Sequence, residues 1–430
     1  MYARLLSLLF TATLIIPCIA FAEGRVALIG GQLIDGLAAK PINGKAVIVE
    51  GDRISAIVDA ADLPADIKRI ELGDATLLPG MIDSHSHPLM PGDPYQAIHL
   101  EKSSAYKALK GHQAMLNLLD AGWTTLRIAG DADVFYGNQD VKKLIEEGVL
   151  QGPRLYGAAH YLSVTGGGGD INYFSPEQSV IADGLIVDGP EEIRKAIRTE
   201  AKYGADWIKV LVTGAFMSVG DDPQNVQFSE EEFQAVMDEA NRQGMPVMAH
   251  AHATEGIKMA VRLGARSIEH ASYLDDEGIR LMRKHGTYFV PTLYVGDYYV
   301  EEARNQILEQ KAFDDYAAAF RDTFIAQVGK AHRAGVKIVT GVDLGGYDYD
   351  PTIYVREMRL LMEAGFTAME SIQATTSVPA EMLGKPIGAI EVGRHADIIA
   401  VSGNPLIDIS ELERVKFVMK GGSVIRNDLR

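Results

Sequence analysis

The chain is predicted to fold as an α/β protein, a (β/α)8 TIM barrel with a small β-sandwich domain formed by both chain ends. Over residues 79–384, eight short apolar segments alternate with amphipathic helices, which is the size and order of such a barrel. The flanking segments, 23–78 and 385–430, are rich in short strand patterns separated by Gly-Gly and Asn-Gly turns. An open doubly wound sheet is the alternative, and it is weakened because no G-x-G-x-x-G motif lies between a strand and a helix.

The overall composition excludes several classes of protein. The 430 residues are 47% apolar, which is enough for a large core and argues against intrinsic disorder. The formal net charge of −17 argues against a nucleic-acid partner, since phosphate contacts need a basic face. With one cysteine the chain can form no internal disulfide and no cysteine-based metal site. Any metal must therefore be held by His, Asp, Glu or a modified residue.

The first 22 residues have the features of a secretory signal peptide. Arg4 gives a positive start, an apolar run follows, Pro17 ends the run, and Ala20-Phe21-Ala22 fits the A-x-A cleavage rule. We expect cleavage after residue 22 and an exported, periplasmic protein with no cysteine and no stable membrane span. A transmembrane anchor and lipoprotein processing at Cys18 are the alternatives, and both fit the segment less well.

The predicted elements follow in chain order. Strand patterns of the chain ends occupy 26–29, 45–49, 53–58, 396–401, 415–419 and 423–425. The eight barrel strands are predicted at 80–84, 124–128, 154–159, 207–213, 246–250, 267–270, 288–293 and 337–341. Helices lie between them, and one has a clear start because Ser229 and Glu232 form a capping box before apolar residues at helical spacing.

Six of the eleven histidines lie at or just beyond the ends of predicted strands, where barrel enzymes have their active sites: His85, His87, His160, His250, His252 and His270. Residues i and i+2 of a strand face the same side, so His85 and His87 both point into the barrel mouth. Neutral imidazoles suit a divalent transition metal. Asp83, one layer deeper in the same strand, is predicted to be structural.

Two further residues with charged side chains lie in or at the end of predicted strands. Lys209 lies within an apolar strand, where an unpaired ammonium is costly. It needs a core carboxylate as partner, or conversion by CO2 to a carbamate that bridges two metals, and the local sequence leaves both open. Asp343 ends the eighth strand with a carboxylate, and Gly345 and Gly346 beyond it allow close approach of a ligand or backbone.

Together these residues resemble the amidohydrolase superfamily, whose pattern is H-x-H on strand 1, Lys on strand 4, His on strands 5 and 6, and Asp on strand 8. All five occur here in that order. The segment 393–399 is similar to the family's return into its composite β-sandwich. The segments 165–170, 207–210 and 250–252 resemble the imidazolonepropionase-like branch, which contains Xaa-Pro and Xaa-Arg/Lys dipeptidases and amidohydrolases that cleave ochratoxin-type amides.

The resemblance implies two divalent metal ions, with zinc as the expected metal. The implied ligands, in chain order, are His85, His87, Lys209, His250, His270 and Asp343. The first two histidines share one metal with the aspartate, the later two hold the other, and the lysine bridges both as a CO2-derived carbamate. Asp343 is the implied catalytic residue, which takes a proton from water and gives it to the leaving amine.

Four residues near the predicted mouth are candidates for binding the substrate: His160, His252, Tyr294 and Arg127. The two histidines would hold a carboxylate or an oxyanion, and the tyrosine would donate a hydrogen bond to the carbonyl. For the arginine, a buried structural ion pair is the alternative to carboxylate binding. The glycine run 166–169 is predicted as an active-site loop, with Tyr161, Tyr173 and Phe174 lining an apolar pocket near it.

The implied function is metal-dependent hydrolysis of a peptide or N-acyl amide bond that releases a C-terminal amino acid. The enzyme would be dipeptidase-like or carboxypeptidase-like and would accept ochratoxin-type amides. The expected partner is a small-molecule amide or peptide, and a homo-oligomer is expected because relatives often form one. The alternatives are a cyclic amide hydrolase or deaminase of the same superfamily, and a non-catalytic periplasmic metal- or solute-binding protein. The presence of Asp343 argues against a non-catalytic binding protein, because such a protein needs no residue that transfers a proton.

Overall fold

The computed structural model describes residues 24–90, 92, 95–216, 218–297, 310–343 and 350–429, with the backbone alone over 310–319. The predicted signal peptide, Gly345 and Gly346 lie outside these residues. Among the described helices, none is both long and apolar enough to cross a bilayer.

The described elements have the following bounds. The strands are β1 (Val26–Ile29), β2 (Gln32–Leu33), β3 (Ile42–Asn43), β4 (Lys45–Glu50), β5 (Arg53–Asp59), β6 (Lys68–Glu71), β7 (Thr76–Pro79), β8 (Met81–Ser86), β9 (Trp123–Ala129), β10 (Arg154–Ala158), β11 (Tyr161–Ser163), β12 (Leu185–Ile186), β13 (Ile208–Leu211), β14 (Val247–Ala251), β15 (Ser267–His270), β16 (Tyr288–Val290), β17 (Ile398–Val401), β18 (Phe417–Lys420) and β19 (Ser423–Asn427). The helices are α1 (Tyr95–Glu101), α2 (Ser104–Asp120), α3 (Gly137–Glu146), α4 (Pro190–Tyr203), α5 (Glu230–Gln243), α6 (Thr254–Leu263), α7 (Asp276–His285), α8 (Gln310–Arg333), α9 (Val355–Glu363), α10 (Ala368–Ala374) and α11 (Ser377–Leu383).

Strands from the chain ends form two sheets that pack on each other. One sheet has the order β5-β4-β1-β6, and the other has the order β19-β18-β17-β7-β2-β3. The second sheet joins the two ends of the chain, because β7 pairs with the C-terminal strand β17. Leu28 and Val47 of the first sheet share a buried apolar cluster with Leu77 and Phe417 of the second. The predicted sandwich from both ends is therefore present, and its exact boundaries at 78 and 385 stay predictions.

Parallel strands of the central segment form the barrel wall. The strands β8, β9 and β10 pair in order, as do β11, β13, β14, β15 and β16. The two runs meet at the third barrel strand, predicted at 154–159, where β10 is followed after a short break by β11. At the break, the backbone N–H groups of Ala159 and His160 donate to the buried Glu200 carboxylate (3.2 and 3.1 Å), so they are satisfied without a neighbouring strand.

The eighth segment closes the barrel through a few hydrogen bonds. Ile338 bridges to Phe289 of β16, and on the other side the Ser84 N–H donates to the Thr340 carbonyl at 3.0 Å. A β-carbon at Gly341 would lie 2.6 Å from the His85 side chain, so glycine permits this close approach to β8. The barrel prediction is confirmed, although the predicted strand 337–341 forms an isolated bridge and not a continuous ladder.

Helix caps follow the sequence signals closely. The Ser229 hydroxyl accepts a hydrogen bond from the Glu232 N–H, and the Glu232 carboxylate accepts one from the Ser229 N–H, so the predicted capping box opens α5. The helix ends at Gly244 in the left-handed conformation. These helices bury their apolar faces against the strands and leave the strand ends open for polar side chains.

Candidate metal centre

The end of β8 and the eighth barrel segment bring three predicted ligands together. The Nε2 atoms of His85 and His87 lie 3.3 and 3.1 Å from Asp343 Oδ1. Asp343 has a positive φ of 57°, which an L-residue adopts only when its surroundings enforce it. Its N–H donates to the His85 carbonyl at 2.9 Å, which fixes the aspartate against β8. The possible ligand atoms of these three residues all lie within 4.8 Å of one another.

The ends of β14 and β15 bring together a second group, made of His250, His252 and His270. Their possible ligand atoms also lie within 4.8 Å of one another. The ring of His250 lies 4.5 Å from each of the other two rings, measured between centroids. Asp343 of the first group also approaches the second group, since its Oδ2 is 3.6 Å from His270 Nδ1.

Four of these five imidazoles make a hydrogen bond through Nδ1, which orients the ring and leaves Nε2 to act as a ligand. His85 Nδ1 lies 2.7 Å from Glu269 Oε2, and His87 Nδ1 donates to the Gly130 carbonyl. His252 and His270 make Nδ1 contacts of 2.8 Å with the hydroxyls of Ser272 and Thr292, respectively. Such outer contacts are typical of metal-binding histidines, because they fix the tautomer and the ring orientation.

Lys209, on β13, lies beside the first group. It is 2% exposed, and its Nζ lies 3.2 Å from His85 Nε2. Burial lowers the pKa of the Lys209 amine to about 8. Within the described residues, no carboxylate lies within ion-pair distance of this Nζ, so the predicted alternative of a paired core lysine finds no support there.

The charges of the site suit a metal. Burial and neighbouring positive charges lower the pKa of His85, His250 and His270 well below its ordinary value, so these imidazoles are neutral. Metal ligation needs neutral imidazole, and a set of imidazoles with one carboxylate and no thiol matches zinc or a similar transition metal. The residues present therefore fit the divalent metals that the sequence predicts.

Arg127, a predicted substrate ligand, is bound to other residues inside the barrel. It is fully buried, and its guanidinium donates to Glu269 (2.7 Å), to the Ser267 hydroxyl (2.9 Å) and to the Ser84 carbonyl (2.5 Å). The alternative of a buried ion pair is thus what the structure contains. Asp83 is structural as predicted, because it accepts hydrogen bonds from the backbone of His85 and Val342.

His160, another predicted substrate ligand, makes its ring contacts within the protein. Its Nδ1 lies 2.7 Å from Glu200 Oε1 and its Nε2 lies 2.6 Å from the Asp133 carbonyl, so both ring nitrogens are bound within the protein. Although burial opposes the charge, the Glu200 contact raises the pKa of His160 above its ordinary value. Tyr294 is buried, and its hydroxyl accepts a hydrogen bond from Arg356 at 3.1 Å, so its role as a donor to substrate stays a prediction.

Sequence reasoning missed two features of the site. The first is Glu269, which contacts both His85 and Arg127. Its position could have been predicted, because a charged residue in a buried strand directly before His270 needs a partner. The second is the position of His252, which the sequence suggests for substrate binding and which lies within the histidine group. Its alternation with His250 along β14 could have indicated this, since i and i+2 share a face.

Three comparisons with known proteins agree with this geometry. A model of the amidohydrolase family matches residues 76–425. Ochratoxinase from Aspergillus niger is 32% identical and covers 94% of this chain and 87% of its own length. A crystal structure of a Xaa-Pro dipeptidase with methionine bound in its active site is 34% identical, with a TM-score of 0.84, over 94% of this chain and 100% of that chain. Imidazolonepropionase from Paracoccus denitrificans is 26% identical over 82% of this chain and 86% of its own length.

These matches confirm the resemblance that the histidines, the lysine and the aspartate indicated. The family model spans the whole barrel, together with β7 and most of the C-terminal flank. Ochratoxinase and the dipeptidase each match nearly the full described chain at more than 30% identity. The chain therefore belongs to the amidohydrolase family, and it is a hydrolase that acts on C–N bonds.

Proposed function

We propose that this enzyme uses two divalent metal ions to hydrolyse a peptide or N-acyl amide bond and so releases a C-terminal amino acid. One observation carries the proposal. Two groups of ligand side chains lie next to each other, Asp343 of the first group is 3.6 Å from His270 of the second, and the buried Lys209 contacts His85. A single-metal site would not need both groups, and a structural site would not leave a carboxylate close to both.

The residues of this chain have separate parts in the proposed reaction. His85, His87 and Asp343 would hold one ion and His250 and His270 the other; when bound, the ions supply Lewis-acid polarisation of the amide and a lowered pKa of water. Asp343 takes the proton from the attacking water and transfers it to the leaving nitrogen. The amine then departs as the new amino group of the released residue.

Lys209 is proposed to carry the bridging carbamate. The neutral amine attacks the carbon of CO2, one C–O π bond breaks as the N–C bond forms, and the nitrogen gives one proton to water, which leaves a carbamate anion with two oxygens. The lowered pKa of the buried lysine supports this step, because only the unprotonated amine has the electron pair that forms the N–C bond. The anion also removes the cost of leaving a lone ammonium among neutral imidazoles.

The similar proteins favour an amide with an amino-acid product. The Xaa-Pro dipeptidase structure contains methionine in its active site, and ochratoxinase is named after ochratoxin. Both match this chain over almost its full described length. Release of an amino acid is therefore a better proposal than deamination of a heterocycle, and imidazolonepropionase is the less similar relative at 26% identity.

A substrate screen tests the proposal. The metal-loaded enzyme is incubated with dipeptides and N-acyl amino acids that vary at the C-terminal residue, together with cyclic amides. Free amino acid is measured by mass spectrometry, and metal content is measured in parallel. We expect release from at least one linear series and about two metal ions per chain. No hydrolysis of any linear member would overturn the proposal, and turnover of cyclic amides alone would favour the alternative function.

A further inference from the structure

Aromatic rings continue outward from the histidine group. The ring of Phe216 lies 4.7 Å from the ring of His252, measured between centroids, in an edge-to-face arrangement. Phe216 also lies 6.5 Å from Tyr273 and 6.0 Å from Phe320, and the last two are 6.0 Å apart. We call Phe216, Tyr273 and Phe320 the aromatic wall. It is separated from the ligands His250 and His270 by the single ring of His252.

The aromatic wall is built by elements that also carry the site. Phe216 lies in the loop after β13, the strand of Lys209, and Tyr273 follows β15, the strand that ends in His270. Phe320 comes from α8, and its ring reaches those of Phe216 and Tyr273. The wall is thus at the carboxyl ends of the strands, where barrel enzymes bind their substrates.

One member of the wall is open to solvent. Phe216 is 47% exposed, although it contacts three other rings. A half-exposed phenylalanine is unfavourable in water, and an exposed apolar surface beside a catalytic site is a common mark of ligand binding. Aromatic rings also prefer aromatic partners in edge-to-face or offset arrangements.

We propose that the aromatic wall is a specificity subsite for an aromatic side chain on one side of the scissile amide. The inference rests on the proposed function and names its substrate class as amides of aromatic amino acids or aromatic acyl groups. The pocket predicted from the sequence lies elsewhere. Tyr161 of that pocket is buried and its hydroxyl donates to Asp183 at 2.9 Å, and the ring of Tyr173 lies tilted against that of Phe174, 4.8 Å away between centroids.

Paired substrates and matched variants test the subsite. N-acetyl-L-phenylalanine is compared with N-acetyl-L-alanine, and N-phenylacetylglycine with N-acetylglycine, so that each side of the amide is varied alone. In Phe216→Ala we expect kcat/KM to fall about tenfold for the aromatic member of at least one pair, with little change for the small member. Phe216→Tyr should restore it, because the ring remains. The control is Phe135→Ala, which removes a phenylalanine that is 62% exposed and outside the wall.

A binding measurement separates this inference from the proposed function. Titration calorimetry of the metal-loaded protein with L-phenylalanine and L-alanine needs no turnover. If the wild type hydrolyses none of the substrates but prefers L-phenylalanine, and Phe216→Ala loses that preference, the subsite stands and the proposed function fails. If Phe216→Ala changes both members of every pair equally, or if neither turnover nor binding favours the aromatic member, the subsite is overturned.

Discussion

At the scale of single residues, two candidate ligands have backbone conformations that their own side chains disfavour. His270 and Asp343 have φ values of 68° and 57°, and Thr292, which holds His270, has a φ of 50°. Each left-handed residue costs about 1 kcal/mol or more, so its neighbours must impose it. For Asp343 the imposing contact is the backbone hydrogen bond to His85. Such strain is typical of functional sites, where ligand direction matters more than local backbone preference.

Asp343→Asn should separate metal binding from catalysis. The amide oxygen of asparagine can still coordinate a metal near His85 and His87, but it cannot take a proton from water. We expect most of the metal to remain and turnover to fall at least about 100-fold, the usual effect of losing a general base. Metal analysis and kcat are measured together. The control is Asp276→Asn, which alters an exposed aspartate paired with Lys330; wild-type turnover in Asp343→Asn would contradict the proposed role.

Lys209→Ala should lower the metal content of the enzyme. Without the lysine the proposed carbamate bridge cannot form, so we expect a fall from about two ions per chain to about one or fewer, with loss of nearly all activity. Inductively coupled plasma spectrometry measures the content directly. The matched control is Lys337→Ala, whose side chain is 48% exposed. Two retained ions with full activity would show that no carbamate bridge exists.

At the scale of elements, the barrel positions the site by pairing strands and helices that are far apart in sequence. The helices α4 and α5 show how such pairs are fixed. The Arg198 guanidinium donates twice to the Glu239 carboxylate, at 2.9 and 3.0 Å, from one helix to the next. The hydrogen bonds from Arg198 and Gln243 lower the pKa of Glu239 to about 2.

This pair predicts an acid-dependent contribution to stability. Because the pKa of Glu239 is lower in the folded state, the pair stabilises the fold above about pH 4.3, the ordinary glutamate pKa, and the contribution is lost as the pH falls toward 2. Urea unfolding of the wild type and Glu239→Gln should differ most near about pH 6 and least near about pH 3. Glu231→Gln, on the exposed face of α5, is the control. A difference that stays constant over this pH range would be contrary to the pair's proposed role.

At the scale of the whole molecule, the barrel and the end sheets are joined by buried polar contacts as well as by apolar packing. Arg154, at the start of β10, donates to both carboxylate oxygens of Asp397, at 2.7 and 3.0 Å. Asp397 Oδ1 also accepts a hydrogen bond from the Gly421 N–H at 2.7 Å. One carboxylate thus links a barrel strand to the loop between β18 and β19.

Asp397→Ala should therefore destabilise the whole chain and not the sandwich alone. Removing one partner leaves a largely buried guanidinium and a backbone N–H without the carboxylate, and we expect the free energy of unfolding to fall by about 3 kcal/mol. Chemical denaturation followed by circular dichroism measures it. Asp428→Ala, which breaks an exposed pair with Arg426, should cost about 0.5 kcal/mol. Equal losses in the two variants would refute the importance of the link.

Local sequence patterns are sufficient to predict the barrel, the sandwich from both chain ends and the residues that converge at the strand ends. These features depend on patterns that are local in sequence. Alternate residues of a strand share a face, and the alternation of strands with helices determines the order of the barrel. The positions of His85, His87 and His250 therefore follow from the sequence alone. The same strand patterns single out Lys209 and Asp343, and the family pattern added their expected roles as ligands.

The partners of the buried charged and polar residues, in contrast, depend on the tertiary structure. Arg127 is bound to Glu269, 142 residues away in sequence, and His160 is bound to Glu200, 40 residues away. No local pattern reports such a partner, because it is brought close by the folding of distant strands and helices. The same physical reason applies to Phe216, which follows β13 and whose ring lies beside that of His252 at the end of β14.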